Sequence, residues 1–207
     1  MKDKRKNELP GAAALKGDRD RSSPGAFSQD DHLPHPLLPG KQDDHQLKQK
    51  EWTRINMENL FEAPRLEEVK QRLARLKPDS ERQWGSMELA TMLAHCTAGI
   101  KMAVGEVPSS PRLLIGRLLG PIAKRSLLVK GEPMRRNSTT DKNVLVTGKF
   151  DFETERQRLL KTIDRFATDG PAICTRDPHF FFGRLTAVEW AALVYRHLDH
   201  HLRQFGA

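Results

Sequence analysis

The C-terminal stretch from Trp190 to Ala207, Trp-Ala-Ala-Leu-Val-Tyr-Arg-His-Leu-Asp-His-His-Leu-Arg-Gln-Phe-Gly-Ala, constrains the fold more than any other part of this chain. At about 100° per residue, Trp190, Leu193, Val194, His197, His201 and Gln204 fall within roughly 60° of one direction, and Asp199 points almost the opposite way. The pattern predicts an amphipathic helix whose core-facing stripe turns from apolar to histidine without leaving its face. An imidazole buried without a partner costs on the order of 1–3 kcal/mol. A shared divalent metal takes neutral imidazole nitrogens one turn apart and removes that cost.

A mononuclear centre with an open position generally takes three protein ligands. Beyond residue 50, the remaining donors of this type are His95, His179, His200, Cys96 and Cys174. His95 lies in a second helical pattern running from Ser86 to Met102, where Thr91, Met92, Ala98, Gly99 and Met102 share its face, so it too points inward. A lone inward histidine is more often a satisfied core residue than a ligand. With His197 and His201 on another core-facing stripe, two helices of a bundle can set three nitrogens around one ion. His200 lies about 100° from His201 and reads as a neighbour of the ligands or a substrate-facing group. The spacing of His197 and His201 matches the two ends of the His-Glu-x-x-His zinc protease pattern, but Leu198 stands where the catalytic glutamate belongs. A peptidase would lack its base.

Met92-Leu-Ala-His95-Cys96 and His197-Leu-Asp-His200-His201-Leu-Arg-Gln204-Phe-Gly together resemble the DinB/YfiT-like group, and within it a subgroup of unknown function. The resemblance runs from about Met57 to Ala207 and includes Trp84-Gly-Ser-Met87, Asn137-Ser-Thr-Thr-Asp141, and His179-Phe-Phe-Phe-Gly183 ahead of Glu189-Trp190. The group tends to show His-Pro-Phe-Phe-Gly where this chain has Phe180 after His179. Carried over position by position, the group's metal site falls on His95, His197 and His201. The resemblance implies a four-helix bundle with a divalent metal, zinc or nickel. For some relatives it implies metal-dependent transfer of low-molecular-weight thiols.

With 207 residues and a hydrophobic content of 37%, the chain accommodates one domain and a tail. Residues 1–50 are rich in Lys, Asp, Gly, Pro and Ser, carry no apolar period and read as a disordered extension. The folded domain is expected over residues 57–207, and Met57 offers a second start for the chain. No apolar run is long enough to span a membrane and no signal-peptide core follows the charged start, so a cytoplasmic location is expected. Cys96 and Cys174, far apart in sequence, give no disulfide framework and read as inert thiols.

Four main helices are expected. Leu66, Val69, Leu73 and Leu76 form the stripe of the first, opened by Pro64. Ser86 is the expected cap of the His95 helix, with Glu88 in its first turn. Phe152, Leu159, Ile163 and Phe166 mark a third helix after Asp151, stopping at Asp169-Gly170-Pro171. Thr186-Ala-Val-Glu189 fits a capping box opening the last. The fold class is thus all-α, a four-helix bundle with a long crossover connection over residues 111–149.

That connection holds nine Lys or Arg against Glu132 and Asp141, a net of +7 in a chain whose formal charge is +8. Leu113, Leu114, Ile115, Leu118, Leu119, Ile122, Leu127, Leu128 and Val129 suggest short helical pieces packed on the bundle, with Arg117, Lys124 and Arg125 facing out. The charge reads as a solvated face, as an anion-attracting mouth, or as a surface that meets membrane or nucleic acid. Nucleic acid is the weakest of these, because no reading helix, zinc finger or aromatic platform accompanies it.

Phe180, Phe181 and Phe182 either plug the bundle end against Trp190 or wall an apolar substrate pocket, with His179 at its rim. Trp84 reads as a structural plug ahead of its helix.

The first expectation is therefore a metal-dependent enzyme acting on a small molecule. His95, His197 and His201 are its ligands, His179 and His200 its catalytic candidates, and Phe181 and Phe182 its substrate contacts. The resemblance implies zinc or nickel as the cofactor and a low-molecular-weight thiol as the cosubstrate, and an open position on such an ion can lower the pKa of a thiol. Metal-assisted hydrolysis stands second. A non-catalytic binding module clamped by the ion is the alternative from another class, favoured by a fourth protein ligand or by the lack of a pocket. The expectation leaves room for a homodimer.

Overall fold

The computed structural model describes residues 57–207 apart from Arg112, Leu113 and Thr139. The extension over residues 1–50 and Leu113 of the connection lie outside the described residues. Within them the chain is all-α, with no strand beyond a single bridge between His179 and Gly183. Five helices follow in order: α1 (Ala63–Arg75), α2 (Leu89–Ala103), α3 (Leu114–Lys124), α4 (Phe152–Asp169) and α5 (Ala187–Gln204). A π-helical turn, Arg125–Val129, continues α3, and 3-10 turns cover Lys142–Val144 and Gly170–Ile173.

Local sequence explains most of these boundaries. Pro64 occupies the first turn of α1, where its missing N–H is no loss. Asp151 accepts a hydrogen bond from the Thr154 N–H and opens α4. Thr186 and Glu189 exchange the two bonds of a capping box at the start of α5. α2 differs from expectation: it begins at Leu89 with Glu88 as the flanking residue and no side-chain cap. Ser86 lies too early to cap it, and its carbonyl instead accepts from the Arg82 guanidinium.

α1 and α2 each pack against both α4 and α5. The shared core includes Leu73, Leu93, Ile100, Leu159, Ile163, Phe166, Trp190 and Leu198, all essentially inaccessible. α5 is buried on nearly all sides. On the face opposite its histidines, the Asp199 carboxylate meets the Arg72 guanidinium of α1 at 2.8 Å, both groups buried. Arg72 also donates to the Asp199 and Ala207 carbonyls, so the ion pair fastens the C-terminus onto α1.

The connection departs from expectation. Leu127 and Leu128 do pack inward, but Leu114, Leu118 and Ile122 are 73%, 72% and 69% exposed, with Ile115 and Leu119 about half exposed. The residues of α3 that turn inward are Gly116 and Gly120. The physical reason is close approach: a Cβ on Gly116 would stand 2.8 Å from the Phe181 carbonyl oxygen. The helix rests on the 179–183 loop through its smallest side chains, which leaves its largest ones facing solvent. Among the described residues no helix is long and apolar enough to cross a membrane.

Candidate metal centre

His95 on α2 and His197 and His201 on α5 come together at the inner face of the core, each offering one ring nitrogen within 4.8 Å of the others. The Nε2 atom of His197 lies 2.9 Å from Nε2 of His95 and 3.1 Å from Nε2 of His201.

The outer hydrogen bonds fix which nitrogens carry protons. His95 Nδ1 is 2.8 Å from the Val144 carbonyl, which can only accept, so Nδ1 donates and a neutral ring leaves Nε2 bare. On α5 the same follows in two steps. The Gln204 amide nitrogen donates to the Trp84 carbonyl at 2.9 Å, which turns the amide oxygen toward His201 Nδ1 at 2.8 Å. His201 Nδ1 therefore also donates, and its Nε2 is also bare.

Burial keeps these rings neutral. It holds the His197 imidazole far below its ordinary range and pushes His201 down to about 3, with the neighbouring histidines adding to both. His95 is lowered for the same first reason, opposed by its bond to Val144. Three Nε2 atoms thus converge with at most one proton among them, on His197. That proton can bridge only one of two lone pairs. A tetrahedral ion with bonds of about 2.0–2.1 Å would set its nitrogens about 3.3 Å apart, so the two short separations would open slightly while the His95 and His201 nitrogens, within 4.8 Å, adjust around the ion.

The long connection supplies part of the support. Asp141 accepts from Asn143 N–H, Ser110 N–H and the Ser110 hydroxyl, and so anchors the 3-10 turn that carries the Val144 carbonyl over α2. Gly99 leaves room for the third ring, since a Cβ there would sit 3.1 Å from His197 Nδ1.

All three histidines line a cavity of about 1250 Å³. His179 stands on its wall, buried against Phe182 and Trp190. Its Nδ1 accepts from the Phe181 and Phe182 N–H groups, which places its proton on Nε2, and burial lowers its pKa to about 4. Phe181 and Phe182 both line the cavity, and Phe182 also packs against the core. His200 is half-buried at the mouth, its ring edge-on to Trp84 and beside His201. Trp84 lines the cavity, with the Arg136 guanidinium 4.1 Å above its ring. Among the described residues, the buried indole N–H groups of Trp84 and Trp190 find no hydrogen-bond partner.

The cysteines are not brought to this cavity. Cys96 is buried beside the Met92 sulfur, and burial pushes its thiol up. Cys174 faces the Ala187 carbonyl and is raised to about 11. Both are poor nucleophiles. Sequence reasoning missed the roles of Gln204, Asp141 and the Val144 carbonyl. Only Gln204 left a signal, three residues from His201 on the same stripe.

Residues 56–207 match the family described as "Protein of unknown function (DUF1569)", and the chain belongs to it. No curated protein and no solved structure matches the chain significantly.

Proposed function

We propose that this DUF1569 member is a four-helix bundle of the DinB/YfiT type that holds zinc or nickel on His95, His197 and His201 and acts as a thiol S-transferase. The observation that carries this reading is the convergence of three Nε2 atoms, two of them deprotonated by fixed outer hydrogen bonds, at the wall of a large cavity. Such outer-shell bonds orient imidazoles and raise their basicity as ligands. When bound, the ion supplies an open coordination position that lowers the pKa of a low-molecular-weight thiol.

The chain's own residues supply orientation and exclusion of water. Phe181 and Phe182 wall the electrophile, and His179 presents its Nε2 proton from a ring held by two backbone N–H groups. His200 and Trp84 border the mouth beside Arg136, whose charge suits an anionic thiol. In the transfer the thiol sulfur forms a new bond to the electrophilic carbon, the leaving group departs with its electron pair, and the thiol proton passes to solvent.

Two observations favour this over the other readings. Asp141, the buried carboxylate of the cavity wall, is already committed to Ser110 and Asn143 and so is not free to serve hydrolysis as a general base, which leaves Glu132 as the other carboxylate of the lining, whereas an activated thiol needs neither. No fourth donor joins the cluster among the described residues, which, beside so large a cavity, argues against a closed structural site.

Elemental analysis of untagged protein should find about one divalent transition metal per chain. His201→Ala should release it, and His200→Ala should keep it with any catalytic rate reduced by about 10–100-fold. Thiol consumption with a panel of alkyl electrophiles then tests the reaction. Protein that takes up neither zinc nor nickel would sink the reading, and loaded protein inert to every pair would sink the transferase part alone.

A further inference from the structure

α3 and the π-helical turn after it carry a feature that the metal site does not use. Leu114, Ile115, Leu118, Leu119 and Ile122 cover roughly 140° of the helix at 100° per residue, and all five are exposed. Val129 extends the patch at 50% exposure. Single exposed aliphatics are ordinary, but a contiguous stripe of this kind marks an interaction site. Exposed cations flank it: Arg117 on its edge, then Arg125 and Lys130. None of these three makes an ion pair among the described residues, whereas Lys124 pairs with Glu189 at 2.7 Å. A shallow groove joins the two chemistries, lined by Pro121, Ile122, Arg125, Ser126 and Lys130.

We infer that this face is a docking surface for an anionic lipid bilayer. A helix with aliphatic side chains outward and basic residues at its margin lies in the plane of the headgroups, its apolar face in the acyl boundary and its cations on the phosphates. α3 is far too short to span, so it rests on the surface. Charge decides against the other occupants. A second copy packed about a two-fold axis would set Arg117, Arg125 and Lys130 against the same three cations. A nucleic acid would match the charge and leave the aliphatic stripe in water. An anionic bilayer satisfies both halves of the face.

The site and this surface are linked by position. Ile115 and Leu119, exposed on the outer face, also line the cavity that the three histidines share. Docking through α3 therefore brings the rim of that cavity to the acyl boundary, where an apolar ligand partitions. The docking inference itself does not rest on the metal reading, and metal-free and metal-loaded protein should dock alike.

Flotation of the full chain with vesicles tests it. The protein should float with phosphatidylcholine vesicles that contain phosphatidylglycerol and stay behind with phosphatidylcholine alone, and added salt should weaken the association. Leu118→Glu with Ile122→Glu, two exposed positions whose change leaves the core untouched, should lower the partition coefficient about tenfold or more. Arg117→Gln and Arg125→Gln, which keep the aliphatic stripe, should each lower it about fivefold. Equal flotation with neutral vesicles, no flotation, or flotation unchanged by both sets of variants overturns the inference. Light scattering provides the remaining arm: a monomer supports the inference, and a dimer that Leu118→Glu dissociates assigns the face to a second copy and overturns it.

Discussion

α5 and α3 are both amphipathic helices read from the same kind of periodicity, yet they present opposite faces to the protein. In α5 the stripe of Trp190, Val194, His197 and His201 turns inward and meets α2. In α3 the large side chains turn outward and Gly116 and Gly120 are buried. Periodicity establishes which residues share a face, and the partner decides where that face points. α5 finds a core on nearly all sides, while α3 finds the backbone of the 179–183 loop, which only glycine lets close enough.

The largest consequence concerns acid. His197, His201 and His179 are held neutral by burial and titrate far below an unfolded histidine near 6.5. Above that value both states are neutral and pH has no effect on stability through these groups. As pH falls below it, the unfolded chain takes protons first, and stability is lost progressively until the folded rings titrate, at about 4 for His179 and about 3 for His201. By about pH 4.5 each ring kept neutral costs about 2–3 kcal/mol. Melting temperatures of metal-free protein should fall steeply over that window, and a flat profile would mean that the stripe is not buried as described. α3 carries no histidine and contributes nothing to this slope.

Next in size is the other side of α5. Asp199→Ala leaves the Arg72 guanidinium buried with only Glu68 at 3.3 Å and two carbonyls. Breaking a buried pair costs about 3–5 kcal/mol, and the surviving Glu68 contact argues for the lower end. Denaturant unfolding should show that loss, while metal uptake by the folded fraction stays intact because Asp199 faces α1. Loss of metal along with stability would mean that the two faces of α5 are not independent.

These two sides of one helix show what was legible in the sequence. The inward placement of His95, His197 and His201 followed from angular arithmetic, because histidine on an apolar stripe has few ways to be satisfied. The capping box at Thr186 and the Asp151 cap were equally readable, since each is a local hydrogen-bond pattern. What could not be read depends on segments distant in sequence. Asp199 is placed by Arg72, His95 by the Val144 carbonyl, and α3 by the backbone of Phe181. Local spacing carries no information about a partner 127 residues away.

Gln204 tests the support of the site at a smaller scale. Its amide links the Trp84 carbonyl to His201 Nδ1. Gln204→Ala should leave the three histidines in place and, on the proposed metal reading, weaken metal affinity about 10–100-fold, the usual effect of removing an outer hydrogen bond. Competition with a chelator of known affinity measures it. An unchanged affinity would show that His201 is oriented by packing alone.

The smallest effects return to α3, where the ordinary rule for helix substitutions should reverse. Adding a methyl group at Gly116 normally favours a helix by about 1 kcal/mol. Here the new Cβ meets the Phe181 carbonyl oxygen at 2.8 Å and its Cα at 3.0 Å, both backbone atoms that cannot swing aside. Gly116→Ala should therefore destabilise by about 1–2 kcal/mol net, because overpacking outweighs the propensity gain. Leu118→Gln removes a large aliphatic from mid-helix, a change that in α5 would cost several kcal/mol as it would for any core leucine. At 72% exposure it should stay within about 0.5 kcal/mol of wild type. Paired thermal melts of the two variants decide whether α3 faces as described. If Leu118→Gln is the costlier change, the leucine stripe is covered in solution and the glycines are not the packed face.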